Sequence, residues 1–128
     1  MKLTKNQQAV FQALTKSSVP LTAYELLDQL RKQGFRAPPQ IYRALEKLTE
    51  YGLVHRVESL NAFVACNHDD DSDHGISALA ICDNCSVVLE FPANKVAKQL
   101  VNLASDQGFG LRATTIELSG LCEHCQAV

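Results

Sequence analysis

The first fifty residues place apolar positions three and four apart between polar segments, which is the pattern of short amphipathic helices. Thr4 followed by Gln7 has the form of a capping box at a helix start, and Thr22 followed by Glu25 repeats it. A third helix is predicted to begin near Pro39, because proline suits a first turn. The apolar stripes of the three helices consist of Ala9, Val10, Ala13 and Leu14; of Leu26, Leu27 and Leu30; and of Ile41, Ala44, Leu45 and Leu48.

After the third helix the pattern changes to two runs typical of β-strands, "LVHRVE" and "AFVAC", around a turn near Leu60 and Asn61. Three helices followed by a β-hairpin is the order of a winged helix-turn-helix domain. In such domains the last helix enters the major groove of DNA. We therefore predict a winged-helix DNA-binding domain at residues 1–66.

The second half of the chain predicts a small unit of mixed α and β structure. "SVVLEF" and "LRATTIELSG" have the pattern of strands, and residues 92–107 that of a helix. Four apolar side chains are expected on the inner side of this helix: Val96, Leu100, Leu103 and Ala104. A unit of this size has few residues with which to build a core, so we expect a homodimer to bury its apolar surface.

The predicted fold class is therefore α+β, with a winged-helix domain followed by a small α/β dimerisation domain. The predicted divisions are the DNA-binding domain at 1–66, an acidic hinge and metal loop at 67–75, and the dimerisation domain at 76–128.

Composition narrows the class of protein. The chain has 128 residues, of which 46% are hydrophobic, and this favours a globular protein over a disordered one. Apolar runs stay well short of the ~20 residues that span a bilayer, and the N-terminus lacks an apolar signal core. We therefore expect a cytoplasmic protein with no membrane association, whose thiols are reduced or metal-bound.

The net charge of the chain is −2, but the charges are unevenly distributed between its two halves. Residues 1–66 carry nine Lys and Arg against five Asp and Glu, which gives +4. Residues 67–128 carry three against nine, which gives −6. A basic first half and an acidic second half indicate two separate tasks.

The third helix carries four of the seven candidate DNA contacts: Gln40, Tyr42, Arg43 and Lys47. Arg43 is the best candidate for reading a base, because a guanidinium can donate to guanine O6 and N7 together. The other candidates, mainly for phosphate or sugar contacts, are Gln40, Tyr42, Lys47, Lys5, Arg56 and Tyr24. The alternative is that these residues are only the solvated face of a helical bundle.

Two Cys-x-x-Cys motifs, Cys82 with Cys85 and Cys122 with Cys125, lie in the second half. Each places two thiolates on one tight turn, and two such turns complete a tetrahedral site for structural zinc. The alternatives are a redox pair or ordinary buried thiols. A shell of four thiolates leaves no open position for catalysis.

Cys66 ends the second predicted strand, beside an acidic loop that contains two histidines. If the hairpin turns at Leu60 and Asn61, His55 lies opposite Cys66, and opposed β-carbons ~5 Å apart are within reach of one zinc ion. We predict a second, regulatory zinc site with the ligands His55, Cys66, His74 and Glu90, or with His68 in place of His74. Taken singly, these residues also fit a buried thiol, a surface histidine and a hydrated acidic turn.

The sequence also bears on two other classes of function. A zinc hydrolase or deaminase would need an open metal position, and the deaminase pattern of His-x-Glu followed by Pro-Cys-x-x-Cys is absent. We therefore predict no enzymatic activity and no small-molecule substrate. A zinc-ribbon module that binds proteins and not DNA stays open as an alternative.

The segment "PPQIYRALEKLTEYGLVHRVESLNAFVAC" and the motifs "ICDNC" and "GLCEHC" resemble the ferric uptake regulator family, and within it the zinc-responsive branch. The resemblance implies a dimeric, metal-dependent repressor that binds a double-stranded DNA operator and controls zinc uptake genes. It also implies two Zn²⁺ per subunit, one structural at the paired motifs and one regulatory at the hinge. His55, Cys66 and Glu90 match the hinge ligands without gaps, whereas His74 matches only after a one-residue insertion.

Sensing of iron, manganese, nickel or peroxide, as by other members of the family, is the alternative. The thiolate of Cys66 and the absence of a His-His-Asp-His run favour zinc. The chain also departs from the family pattern. We expect the family's extra N-terminal helix to be missing, Gln40 stands where threonine is common, and serine replaces the glycine after the first Cys-x-x-Cys motif. Asp28 and Arg31 are predicted to pair within their helix or to link neighbouring dimers on one operator.

Overall fold

The computed structural model describes residues 2–66 and 77–126. Its elements are α1 (Lys5–Lys16), α2 (Ala23–Leu30), α3 (Pro38–Glu50), β1 (Val54–Val57), β2 (Ala62–Ala65), β3 (Ser77–Cys82), β4 (Val88–Pro92), α4 (Asn94–Asp106), β5 (Ile116–Gly120) and α5 (Glu123–Gln126). Short 3-10 turns occupy Arg31–Gln33 and Glu58–Leu60. Within the two described segments, every helix is too short or too polar to cross a membrane.

Local signals set the ends of the first three helices, as predicted. Both capping boxes form, with the side chains of Thr4 and Thr22 accepting from backbone N–H groups three residues on. Gly34 ends the segment after α2 in the left-handed conformation (φ 99°), which glycine adopts without steric cost. The third helix begins one residue earlier than expected, at Pro38.

The first half packs around one hydrophobic core. Its fourteen buried members are Val10, Leu14, Leu21, Ala23, Leu26, Leu27, Leu30, Phe35, Ile41, Ala44, Leu45, Leu48, Val54 and Phe63. The helical stripes read from the sequence supply most of this set. Leu21 also exchanges backbone hydrogen bonds with Phe63, which ties the segment before α2 to the hairpin. The winged-helix prediction is confirmed.

The hairpin turns earlier than the sequence predicted. β1 and β2 pair antiparallel with His55 opposite Val64, so the predicted pairing of His55 with Cys66 is wrong. The cause is a four-residue turn that starts at Glu58 and ends at Asn61, whose N–H donates to the Glu58 carbonyl at 3.3 Å. Asn61 lies in the left-handed region (φ 50°), which asparagine tolerates, so it closes the turn and does not centre it.

The second half contains a three-stranded sheet in the order β4-β3-β5, antiparallel between β3 and β4 and parallel between β3 and β5. The helix α4 connects the outer strands. The prediction that Val96, Leu100 and Leu103 face inward is wrong within one subunit, because they are 48%, 39% and 62% exposed. Ala97 is the buried residue of α4.

The hairpin packs directly on this sheet. Val57, Leu79 and Ile81 are buried together, and Val64 and Val88 pack against them. The first two β-elements of the chain are therefore attached to both hydrophobic clusters, and they form the junction between its basic and acidic halves.

Candidate metal centres and DNA-binding face

The four cysteines of the paired motifs converge at the carboxyl ends of two strands. Cys82 closes β3 and pairs with Gly120 at the end of β5, so the turn that follows each strand lies beside the other. The four Sγ atoms lie within 4.8 Å of one another, and those of Cys85 and Cys122 are 3.7 Å apart. A compact set of four thiols on two turns has the donor chemistry of a structural zinc site.

Backbone hydrogen bonds favour thiolate at this cluster. The N–H groups of Cys85 and Cys122 donate to Sγ of Cys82 at 3.5 and 3.4 Å and lower the pKa of this thiol to about 6. At Cys125 the Asn84 amide, which donates to Sγ at 3.3 Å, lowers the pKa. The thiols of Cys122 and Cys82 outweigh that bond and raise the pKa of Cys125 to about 11. The cluster thus stabilises one thiolate by itself, whereas several thiolates together require a cation. A divalent metal ion would meet this requirement.

A second cluster lies where the hairpin meets the sheet. His55, Cys66 and Glu90 each offer a ligand atom, and the three atoms lie within 4.8 Å of one another. Nε2 of His55 is 2.8 Å from Oε2 of Glu90, and Sγ of Cys66 is 3.6 Å from the same oxygen. Ser77 donates its hydroxyl to that oxygen at 2.8 Å, which holds the carboxylate in place. The side chain of Glu90 is only 7% exposed.

His55 and Cys66 meet along a diagonal of the hairpin. His55 pairs with Val64, and Cys66 continues beyond β2 with its N–H bonded to the Leu53 carbonyl at 2.8 Å. Positions 64 and 66 share one face of the strand, and diagonal neighbours ~7–8 Å apart are still within reach of long side chains. The three residues therefore lie together despite the wrong register, and their role as a zinc site stays a prediction.

Nitrogen, sulfur and oxygen donors of this kind fit zinc, and the thiolate disfavours magnesium, calcium and manganese. The predicted fourth ligand, His74, and its substitute His68 lie outside the described residues. Three donors from this part of the chain leave room for one more ligand in a four-coordinate site.

Most of the candidate DNA contacts are exposed. Tyr42, Arg43 and Lys47 are exposed on α3, and an open cleft between α3 and the start of α1 is lined by Arg43 and Lys47. Nζ of Lys47 is 3.1 Å from Glu50, and this hydrogen bond raises the pKa of the lysine. Lys5 at the start of α1 is exposed as well. Tyr24 is 65% exposed on α2.

Two of the candidates have structural partners. The side-chain oxygen of Gln40 accepts from the N–H groups of Arg36 and Ala37 at 2.7 and 3.1 Å, which caps α3. The guanidinium of Arg56 contacts Glu58 at 3.2 Å and donates to Asn61 at 2.8 Å, which braces the wing turn.

Asp28 and Arg31 form the predicted pair within one helix segment, with 3.3 Å between Oδ1 and Nε. Both side chains are largely exposed, 80% and 57% respectively. An exposed pair at this spacing contributes little to stability, about 0.3–0.5 kcal/mol. The suggested link between dimers stays a prediction.

Sequence reasoning missed several supporting residues. Ser77 orients Glu90, and Asn84 donates to Cys125. Glu117 of β5 accepts from the backbone N–H groups of Glu58 and Ser59 in the wing turn. A signal existed for Asn84, which lies inside a Cys-x-x-Cys motif, whereas the contacts of Glu117 join positions 58 and 59 residues apart and have no local signal.

The chain is similar in sequence to known proteins over most of its length. The model of the ferric uptake regulator family matches residues 1–119. The chain is 41% identical to the zinc uptake regulation protein of Escherichia coli (strain K12) over 129 residues, which span 100% of this chain and 75% of that protein.

Solved structures are similar over nearly the whole chain. Holo XcZur is 40% identical with a TM-score of 0.89, covering 100% of this chain and 89% of that one. A zinc uptake regulator complexed with zinc and DNA is 39% identical with a TM-score of 0.90, covering 99% and 85%. Apo XcZur is also 40% identical, but its TM-score is 0.50, with 98% and 86% covered. The family match over residues 1–119 and the full-length relative establish that this chain belongs to the ferric uptake regulator family.

Proposed function

We propose that this chain, a transcription regulator of the ferric uptake regulator family and not an enzyme, is a zinc-responsive repressor. It binds palindromic operators of zinc uptake genes as a homodimer. The domains we propose are the DNA-binding domain at 1–66, the hinge and metal loop at 67–75, and the dimerisation domain at 76–128.

The observation that carries the proposal is the convergence of His55, Cys66 and Glu90. Two of these residues belong to the hairpin of the winged helix, and the third lies on the central sheet of the second half. A bound Zn²⁺ would supply a shared cation that links the two halves. With His74 as the fourth ligand, or His68 in its place, the regulatory site lies at the hinge.

The comparison with one relative in two states supports this role. Holo and apo XcZur are equally similar to this chain in sequence, so their TM-scores of 0.89 and 0.50 reflect different conformations. The overall structure of this chain is more similar to the holo form than to the apo form. We infer that the site at the junction stabilises this arrangement.

A fixed junction raises the fraction of molecules whose two recognition helices are placed to bind DNA. Two recognition helices in a symmetric dimer must match two half-sites, whose spacing is set by the DNA helix. When the halves move independently, the apparent operator affinity falls by the fraction of molecules in the competent arrangement. Linkage then requires that operator DNA tighten zinc binding by the same factor by which zinc tightens DNA binding.

The four-cysteine cluster has a different role in this proposal. Cys82, Cys85, Cys122 and Cys125 lie within one half, at the ends of neighbouring strands. Binding there holds the turn after β5 to the turn after β3 and contributes to folding. The chain therefore takes two Zn²⁺ per subunit, one structural and one regulatory.

The apolar surface of the second half supports a homodimer. Among the described residues 89–121, ten large apolar side chains are exposed: Leu89, Phe91, Val96, Leu100, Val101, Leu103, Phe109, Leu111, Leu118 and Leu121. An exposed apolar surface this dense is typical of a protein interface. A second copy of the chain would cover it through a twofold-symmetric contact.

The exposed face of α3 is the proposed reading surface. Arg43 is assigned to a base edge, with Tyr42, Lys47, Lys5 and Tyr24 beside it for backbone contacts. Gln40 and Arg56 are assigned supporting positions, because their polar groups already hold the start of α3 and the wing turn.

A titration that removes zinc stepwise tests the proposal. The probe is a DNA duplex selected from a randomised library by the zinc-loaded chain. Mild chelation should remove one zinc per subunit and abolish binding of this duplex, while the second zinc and the dimer persist. Cys66→Ser should hold one zinc from the outset and bind the duplex weakly at any zinc concentration. Full affinity in this variant, or equal affinity of the metal-starved wild type, contradicts the proposal.

A further inference from the structure

One row of side chains crosses the three-stranded sheet and faces the hairpin. Leu79 on β3 pairs with Glu90 on β4 and with Glu117 on β5. Residues paired across neighbouring strands project from the same face of a sheet. Leu79 packs against Val57 of the hairpin, so this is the face on which the hairpin lies.

The hairpin contacts this row at three successive places. His55 lies 2.8 Å from Glu90 at one end, and in the middle Val57 is fully buried in one cluster with Leu79 and Ile81. At the other end the carboxylate of Glu117 accepts two backbone hydrogen bonds from the wing turn. One comes from the N–H of Glu58 at 2.6 Å and the other from the N–H of Ser59 at 3.2 Å.

The chemistry of the third contact is directional. A carboxylate that accepts two adjacent backbone N–H groups forms charge-assisted hydrogen bonds, which are stronger than neutral ones and fix the direction of approach. Because the donors are backbone groups, the contact orients the turn itself and not a mobile side chain. The bonds from Arg56 to Glu58 and Asn61 then carry that orientation to the rest of the wing.

Two separated attachments constrain a rigid hairpin more than one does. A hairpin held only near His55 can still rotate about that point. His55 lies in β1 and Glu58 directly follows that strand, three residues on, which is on the order of 10 Å along an extended chain. A second attachment at that distance, together with the buried Val57 between the two, restricts this rotation and so helps to set the direction of the recognition helix.

We propose that Glu117 is a positioning residue that forms a second, metal-independent attachment of the wing to the dimerisation half. Coordination at His55, Cys66 and Glu90 closes one end of the junction, and Glu117 aligns the other end. The inference rests on the proposed function, because the alignment matters for operator binding. Glu117 contacts neither zinc nor DNA in this role.

The test compares Glu117→Gln with the wild type and with Asp106→Asn, which neutralises an exposed carboxylate at the end of α4 in the same half. The measurements are affinity for the selected duplex in excess zinc and after chelation, and amide hydrogen exchange at Glu58 and Ser59 in the zinc-loaded dimer. Glu117→Gln should weaken zinc-dependent duplex binding roughly tenfold, the loss expected for charge-assisted hydrogen bonds. It should also speed exchange at the two amides while α1–α3 exchange as before.

The regulatory zinc provides a further readout. Closure of the junction favours the binding of both DNA and the regulatory zinc. Glu117→Gln should therefore also lower the affinity for the exchangeable zinc, whereas the tightly held zinc stays bound. Glu117→Asp, which keeps the charge on a shorter side chain, should give an intermediate loss. The control Asp106→Asn should match the wild type in every measurement.

The possible results separate the two proposals. Unchanged duplex affinity and unchanged exchange at Glu58 and Ser59 in Glu117→Gln overturn the inference. Loss of the tightly held zinc in both Glu117 variants also overturns it, because Glu117 would then act in folding. If the wild type binds DNA equally well without zinc, the proposed function fails, and amide exchange still decides whether Glu117 holds the wing.

Discussion

The first half of the chain encloses fourteen buried apolar residues in one core, whereas the described part of the second half buries few and leaves ten large apolar side chains exposed. In the second half, the large buried side chains of Leu79 and Ile81 lie in one cluster with Val57 of the hairpin. Their burial therefore depends on the first half of the chain. The first half is therefore built to be stable by packing, while the second half requires other supports.

Those supports are the cysteine cluster and a second copy of the chain. A small unit that cannot bury enough apolar surface usually relies on metal, disulfides or oligomerisation. In the proposed assignment, both candidate metal clusters lie in the second half and at the junction, and the proposed DNA-reading surface lies in the half with the larger core. Under this proposal, zinc would change the arrangement of the DNA-binding domains without unfolding them.

The largest expected effect is the loss of the structural site. Cys82→Ser removes the thiol that accepts two backbone hydrogen bonds, and structural zinc sites contribute about 10 kcal/mol or more to folding. We expect loss of the tightly held zinc and of the dimer, measured by metal analysis and by native mass. The helices of the first half should keep their circular dichroism. Cys66→Ser is the matched control, since it should leave the dimer intact.

A substitution in the core of the first half should destabilise that half and leave the tightly held zinc in place. Leu48→Ala opens a cavity at a fully buried position and should destabilise the first half by about 2–5 kcal/mol. The measurement is chemical unfolding followed by helical signal. The tightly held zinc should remain until the dimer dissociates. If Leu48→Ala releases this zinc at low denaturant, the two halves do not have separate sources of stability.

Arg43→Ala tests the reading surface while leaving both sources of stability unchanged. The expected cost is about 1–3 kcal/mol in binding of the selected duplex, with relaxed discrimination at one base pair. The measurement is affinity for a set of duplexes with single substitutions. Arg43→Lys, which keeps the charge but loses the bidentate fork, should lose discrimination more than affinity. An equal loss on every duplex would mean that Arg43 contacts phosphate.

The smallest effect is expected at the turn after the first Cys-x-x-Cys motif. Ser86 has a positive φ of 67°, a conformation that costs a residue with a β-carbon about 1–2 kcal/mol. Ser86→Gly should therefore stabilise the second half by about 0.5–1 kcal/mol, after allowance for the greater freedom of glycine in the unfolded chain. Thermal unfolding of the zinc-loaded dimer measures it. Ser86→Ala, which retains the β-carbon, should bring no gain.

The sequence by itself determined the features that depend on neighbouring residues. The capping boxes at Thr4 and Thr22 set the starts of two helices, because a cap needs only residues three positions apart. The spacing of each Cys-x-x-Cys motif brought two thiols onto one turn for the same reason. The winged-helix order and the family resemblance followed from such local patterns.

The tertiary structure alone decided the register of the wing, the exposed face of α4 and the contact of Glu117 with the wing turn. The register depends on whether Asn61 is a central residue of the turn or its last residue. The two cases shift the turn by one residue, and the local sequence pattern does not distinguish them. Which face of α4 is exposed depends on how the helix packs against the rest of the subunit, and Val96, Leu100 and Leu103 lie on the exposed side. Contacts between positions far apart in the chain arise only when separate elements pack, and no periodicity within either element records them.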